Sequence, residues 1–292
     1  MRKTISQEVR SVSDYIEKLS TIGSMGVNIY FRGHKDERYR IQPSVFRKDL
    51  MVKKSENIIL RELMSFHPEE FVGHRSAFES LVQAQHHGLP TRLLDVSLSS
   101  IAGLFFATEA NDDGTDTVDG AVIRFDVDST RIKGFESDTL SCICNLAKLN
   151  HAEKEEIRSF IMLERKRKDL VKKINVDEFN ELEAVRRLVQ FVRQEKPYFE
   201  NKIQPIDLYS NYLALPMRNN KRITAQSGAF IVSGVLSHLA KSSKFSMKKF
   251  VVPKKLKPLF REELDRMGVN RMTMFPDLQS SAKYITSKHK SP

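Results

Sequence analysis

Within AQHHGLPTRLLDVSLSSIAGLFFAT, residues 84–108, two adjacent histidines, an arginine and an aspartate stand ahead of a small, apolar run. A neutral imidazole serves as acid, base or hydrogen-bond donor near pH 7, so His86 and His87 are candidates for chemistry. Successive helical residues point about 100° apart, so the two cannot face one site equally. A histidine at a helix end can also cap backbone carbonyls. Arg92 offers a guanidinium fork for phosphate. Asp95 either supplies a carboxylate to a site or caps NH groups at the start of the apolar segment. Gln85 and Thr91 flank these groups as further ligand-binding candidates.

A second set of polar groups lies elsewhere in the chain. VNIYFRG, 27–33, reads as a short strand, which leaves Arg32 at a strand end with a guanidinium free to grip a phosphate through two bonds. Gly33 beside it would let a ligand or a second strand approach the backbone. The alternative is an ion pair between Arg32 and a carboxylate, with Asp95 a partner. Together, Arg32 and Arg92 would make a pocket for a pyrophosphate or a nucleic-acid backbone. Arg222 and Gln226 precede Gly228 and a strand. Gln226 carries a donor and an acceptor suited to a ribose or a base edge, or it pins a loop to the sheet. Residues 241–257 hold seven lysines and no acid, a solvated face or a non-specific phosphate contact.

Local patterns indicate what positions these groups. The spacing of Ile5, Val9, Val12, Ile16 and Leu19 predicts a helix over 5–20. RYRIQPSVFR, 38–47, reads as an extended or edge segment broken at Pro43. Ser55 is a plausible cap for a helix to His67 with Ile58, Ile59, Leu63 and Phe66 inward, and residues 76–87 form a second helix. LSSIAGLFFATEA is a third, buried on all sides. AVIRFDV (121–127), NYLALPM and AFIVSG (229–234) have strand character. From 136 to 200 charged helices dominate, one of them with a sparse stripe of Ile157, Phe160, Ile161, Leu170, Val171 and Ile174. A helix, then a Gly-Val-Asn stop, then a closing helix around 276–285 follow. The expected architecture is α+β: a single mixed domain over 1–292, with a small central sheet, surrounding helices, and 136–200 as a helical insertion or cap.

The composition suits such a core, with 40% hydrophobic and 29% charged residues among 292. A formal net charge of +11 favours phosphate-bearing or acidic partners. Cys142 and Cys144 are the only cysteines; adjacent-but-one thiols make poor disulfides, and no second ligand pair completes a zinc site. Reduced thiols, a polar N-terminal segment and the lack of a bilayer-length apolar run predict a soluble, cytoplasmic protein away from membranes. No cluster of acids suggests a metal site.

Four segments, YFRG at 30–33, QHHGLPTRLLD at 85–95, RITAQSGAFIV at 222–232 and GVNRMTMFPDL at 268–278, together resemble the FRG-domain family of bacteria and phages. The resemblance spans roughly 25–285. It departs at His87, where the family carries an aromatic, and at Val96 and Ser97, where it carries tryptophan-threonine. It favours His86 over His87, a ligand-binding role for Arg32, and a place in phage defence or a toxin system.

The order of motifs is similar to that of ADP-ribosyltransferases, which implies an enzyme acting on a nucleotide with NAD as substrate. In that arrangement His86, Asp95 and Gln226 are the catalytic candidates, and Arg32, Gly33, Gln85, Thr91, Arg92 and Arg222 bind ligand or phosphate. Gln226 is neutral where those enzymes place a glutamate, so transfer would need another acid, with Asp95 the nearest motif candidate and Glu79 a remote one. Two alternatives stay open. One is a metal-independent nuclease using His86 with Arg32 and Arg92 on phosphate. The other is a non-catalytic module binding a nucleotide, a nucleic acid, or a protein partner from a defence system or phage.

Overall fold

A computed structural model describes residues 6–23, 26–111, 114–166, 175–217, 220–236, 239 and 244–289. Among them eight strands form one mixed sheet: β1 (Ser6–Glu8), β2 (Asn28–His34), β3 (Leu93–Ser97), β4 (Gly120–Val127), β5 (Ile132–Gly134), β6 (Asn211–Leu215), β7 (Gly228–Ser233) and β8 (Phe245–Val252). Their order is β1-β8-β4-β2-β3-β7-β6-β5, antiparallel except for the β1–β8 and β5–β6 pairs.

The helices are α1 (Val12–Ser20), α2 (Glu56–Phe66), α3 (Ala77–His86), α4 (Ser100–Thr108), α5 (Asp138–Asn145), α6 (His151–Lys166) and α7 (Val176–Glu181). They continue as α8 (Glu183–Glu195), α9 (Pro205–Leu208), α10 (Lys221–Ala225), α11 (Lys257–Arg266), α12 (Arg271–Met274) and α13 (Leu278–Lys288). The fold is α+β, a single mixed domain.

Strand alternation divides the core between the two faces of the sheet. On one face Phe31, Val122 and Phe250 pack with residues of α1, α4 and α11. Farther along that face Leu93, Phe230 and Val232 meet α3, α5 and α8. Cys142 and Cys144 are free thiols buried there, and burial pushes the Cys142 pKa up to about 12. Tyr30, Leu94, Ile123, Phe125 and Ile231 occupy the opposite face, where Ile41 packs against them.

α4 lies directly on the sheet because two glycines let it. A Cβ on Gly33 would stand 2.1 Å from the Gly103 carbonyl oxygen, and one on Gly120 1.9 Å from that of Ala107. Either distance is prohibitive, so the helix backbone occupies the space that a side chain would need.

The sheet is not small. β1, β3, β5 and β8 escape the sequence patterns because they are short, buried on both faces or, in β8, rich in lysine. The N-terminal helix starts at Val12, since Ser11 accepts a bond from the Asp14 NH and ends the strand pairing before it. In α2 the buried positions are Glu56 and Leu60, while Ile58 and Phe66 are exposed. Ser55 makes no side-chain cap there. Segment 38–47 forms bends and a 3-10 turn at Ser44–Phe46 instead of a strand. Leu170, Val171 and Ile174 lie outside the described residues, whereas Ile157 and Ile161 are fully buried.

Candidate functional site

β2 pairs with β4 along its whole length but with β3 only at Phe31↔Ser97. Beyond that pair the two strands part, and the Arg32 side chain enters the gap. Its Nη1 donates to the Asp95 carbonyl oxygen at 2.6 Å and lies 3.7 Å from the Asp95 carboxylate. Its Nε donates to His34 Nε2 at 2.9 Å, which fixes the imidazole as neutral with its proton on Nδ1. The guanidinium therefore does the bonding that a strand ladder would otherwise do here.

A cavity of about 170 Å³ opens at this split, lined by Phe31, Arg32, Gly33, Asp95, Val96, Ser97, Gly103, Phe106, Arg222 and Gln226. The Asp95 side chain remains 63% exposed despite its contact with Arg32. Arg222 stacks over Phe275, its guanidinium carbon 4.8 Å from the ring centre, and Phe275 meets Phe106 edge-on. Gln226 donates through Nε2 to the Met274 carbonyl at 3.0 Å. Ser97 Oγ donates to the Gln226 carbonyl at 2.6 Å and accepts from the Ser99 NH. Ser227, next in the chain, holds a left-handed φ of 47°, which turns α10 into β7.

Electrostatics follow from burial. Desolvation pulls the Arg32 pKa down, Asp95 pulls it back and Arg47 lowers it again. The group stays cationic at neutral pH all the same. His34 is 4% exposed, and its pKa is pushed down to about 3 by burial, then by Arg32, Arg47 and Lys249.

Of the residues predicted from sequence, Arg32, Gly33, Asp95, Arg222 and Gln226 come together at the cavity. His86, Gln85, Thr91 and Arg92 do not line it. Gly33 is a glycine because α4 lies against it, not because a ligand must approach.

Arg92 is 1% exposed and grips both Glu56 carboxylate oxygens, at 2.9 and 2.6 Å, while Nη1 donates to the Ser233 and Gly234 carbonyls. Lys154 closes the cluster at 2.8 Å from Glu56. A guanidinium with this set of partners has no donor turned to a ligand. Thr91, also 1% exposed, donates to Gln85 Oε1 and accepts from the Leu93 NH, so this pair fastens the turn into β3.

His86 contacts Asn220 Nδ2 through Nδ1 at 3.2 Å, and Asn220 is the N-cap of α10. Burial, Arg222 and His87 lower its pKa, so it is neutral near pH 7. It braces the helix that carries Arg222 instead of facing the cavity. Asp95 lies within β3, and the cap of α4 is Ser99, which accepts from the Ala102 NH. The lysine-rich stretch is largely engaged. Lys248 pairs with Asp126, Lys249 with Glu37, and Lys257 is buried with Nζ on the Lys35 carbonyl. Lys241 lies outside the described residues.

His34, Ser97 and Phe275 were missed as site groups. His34 had a signal, since it shares a strand face with Arg32 two residues away. Ser97 keeps a hydroxyl where the resemblance leads one to expect threonine. No group of three or more potential metal ligands occurs among the described residues.

Fold and cavity together define an α+β protein with an arginine- and carboxylate-lined crevice at a strand split. The family model of the FRG domain matches residues 27–116 of this chain. That match takes in the first two motifs and stops before Arg222 and Gln226, which the tertiary structure adds to the same cavity. Neither a curated protein nor a solved structure matches the chain.

Proposed function

We propose that the crevice acts on a nucleotide, with NAD as substrate, in an ADP-ribosyltransferase-like transfer or a hydrolysis. The observation that carries this reading is the Asp95 carboxylate, open to the cavity and flanked by Arg32 and Arg222. The two guanidinium groups suit the pyrophosphate. The carboxylate supplies the negative charge that Gln226 lacks, stabilising the anomeric carbon as its bond to nicotinamide breaks. The electron pair leaves with the nicotinamide nitrogen, and the acceptor, water or another nucleophile, attacks the sugar and loses its proton. A metal-independent nuclease needs an acid or base, and His86 stands outside the cavity. Non-catalytic binding of a nucleotide, nucleic acid or protein needs only the arginines.

The test is to incubate the purified chain with NAD and with RNA, following nicotinamide release and RNA length. Nicotinamide release abolished in Asp95→Asn and Arg32→Ala supports the transfer reading. Cleaved RNA with intact NAD overturns it in favour of the nuclease. Inactivity toward both, with nucleotide binding retained, leaves the binding module. The family resemblance also supports a role in phage defence or a toxin system. NAD consumption would then slow a bacterial host on overexpression, and Asp95→Asn would relieve it.

A further inference from the structure

A larger cavity, about 600 Å³, lies on the other face of the sheet between segment 37–48 and the strands β4 and β8. Its strand side is Ile123, Met247 and Lys249, whereas α4 lies on the opposite face. Its loop side presents two aromatic rings, Tyr39 and Phe46, and two exposed cations, Arg40 and Lys48. Nearby carboxylates are already held: Asp36 by Arg38 at 2.7 Å and Glu37 by Lys249 at 2.7 Å.

Arg40, Arg47 and Lys48 have no ion pair or side-chain hydrogen bond among the described residues. Arg47 is half-buried and near enough to Arg32 and His34 to act on both. His34 Nδ1 is a buried donor without an acceptor among the described residues, and its ring lies 6.0 Å from that of Tyr39. This neighbourhood therefore holds more positive charge and donors than its own acids satisfy. Such an excess suits an external anion.

We infer that this cavity binds a nucleoside monophosphate, its base against Tyr39 and Phe46 and its phosphate toward Arg40 and Lys48. The volume falls within the range of small-molecule sites, about 300–1,000 Å³. Stacked rings hold a base through its π face. A phosphate dianion accepts charge-assisted bonds from guanidinium and ammonium groups. An apolar floor of Ile123 and Met247 would have no use for a bare inorganic anion. The site stands on its own residues and does not depend on the chemistry proposed for the crevice.

Adenosine 5′-monophosphate is the probe, titrated by calorimetry against the full chain, with adenosine and inorganic phosphate as separate arms. Saturable binding of the monophosphate is expected, with each fragment weaker by about tenfold or more, since losing either half removes upward of 1.4 kcal/mol. The double variant Arg40→Glu/Lys48→Glu changes only exposed side chains, so it should fold, and it should lose the binding. Tyr39→Ala should weaken it several-fold, and Arg32→Ala should leave it within about threefold, because Arg32 serves the crevice. No saturable binding, or binding unchanged in the double variant, overturns the inference. Loss in Arg32→Ala with retention in the double variant does so too, by placing the nucleotide in the crevice. Nicotinamide release has no bearing on any of these outcomes, so the two readings fail separately.

Discussion

At the scale of residues, the decisive contrast is between two arginines with similar sequence surroundings. Arg32 enters a gap between strands and keeps its guanidinium beside an open cavity. Arg92 is consumed by four internal bonds. On the proposed transfer chemistry, Asp95→Asn should lower turnover on NAD by about 100-fold or more while sparing nucleotide binding, since a charge acting on the transition state would be lost. Steady-state and binding measurements on the one variant separate the two effects. His34 supports a prediction on pH. Its folded pKa of about 3 lies below the unfolded 6.5, so between those values the unfolded chain binds a proton that the native chain does not. Stability should rise with pH across that window and level off above it. Urea unfolding from pH 3 to 7 should show the slope, and His34→Gln should flatten it.

Among the elements, the Arg92–Glu56–Lys154 cluster ties β3 to α2, α6 and the end of β7. Arg92→Ala should cost about 3–5 kcal/mol, because Glu56 would remain buried beside an incomplete set of partners. Thermal or urea unfolding measures this. Burial alone would raise the Glu56 pKa, but Arg92 and Lys154 outweigh it and hold the carboxyl below its ordinary value. Its contribution is present above the unfolded carboxylate pKa and is lost as pH falls through the lower folded one. The turn at Ser227 makes a smaller case. Ser227→Gly should stabilise the fold by up to about 1 kcal/mol, since glycine adopts φ 47° without the Cβ penalty.

For the whole molecule, the crevice is a product of the complete sheet. The FRG match over 27–116 contains β2 and β3 but neither β4 nor β7, their extended partners. Residues 27–116 expressed alone should therefore lack a cooperative unfolding transition and show fast amide exchange, whereas the full chain shows both protection and cooperativity. Retained native-like protection in the fragment would overturn this. Motifs far apart in sequence meet only after folding. Gln226 is pinned to Met274, Arg222 stacks on Phe275, and Phe275 packs on Phe106.

Side-chain chemistry and the motif resemblance singled out Arg32, Asp95, Arg222 and Gln226, which line one cavity, and local periodicity placed α3, α11, β2, β4 and β7 close to their observed limits. Those are properties of neighbours in the chain: alternation, caps, and glycine or proline stops. The direction in which each polar group faces was not legible in this way. Arg92 turned inward because Glu56, 36 residues earlier, lies buried beneath it. Asp95 stayed open because β2 and β3 part after one pair. β8 became a strand because β4 and β1 flank it, despite its lysines. Each outcome depends on a distant partner supplying a charge, a hydrogen bond or a covered face, and only the folded chain brings such partners together.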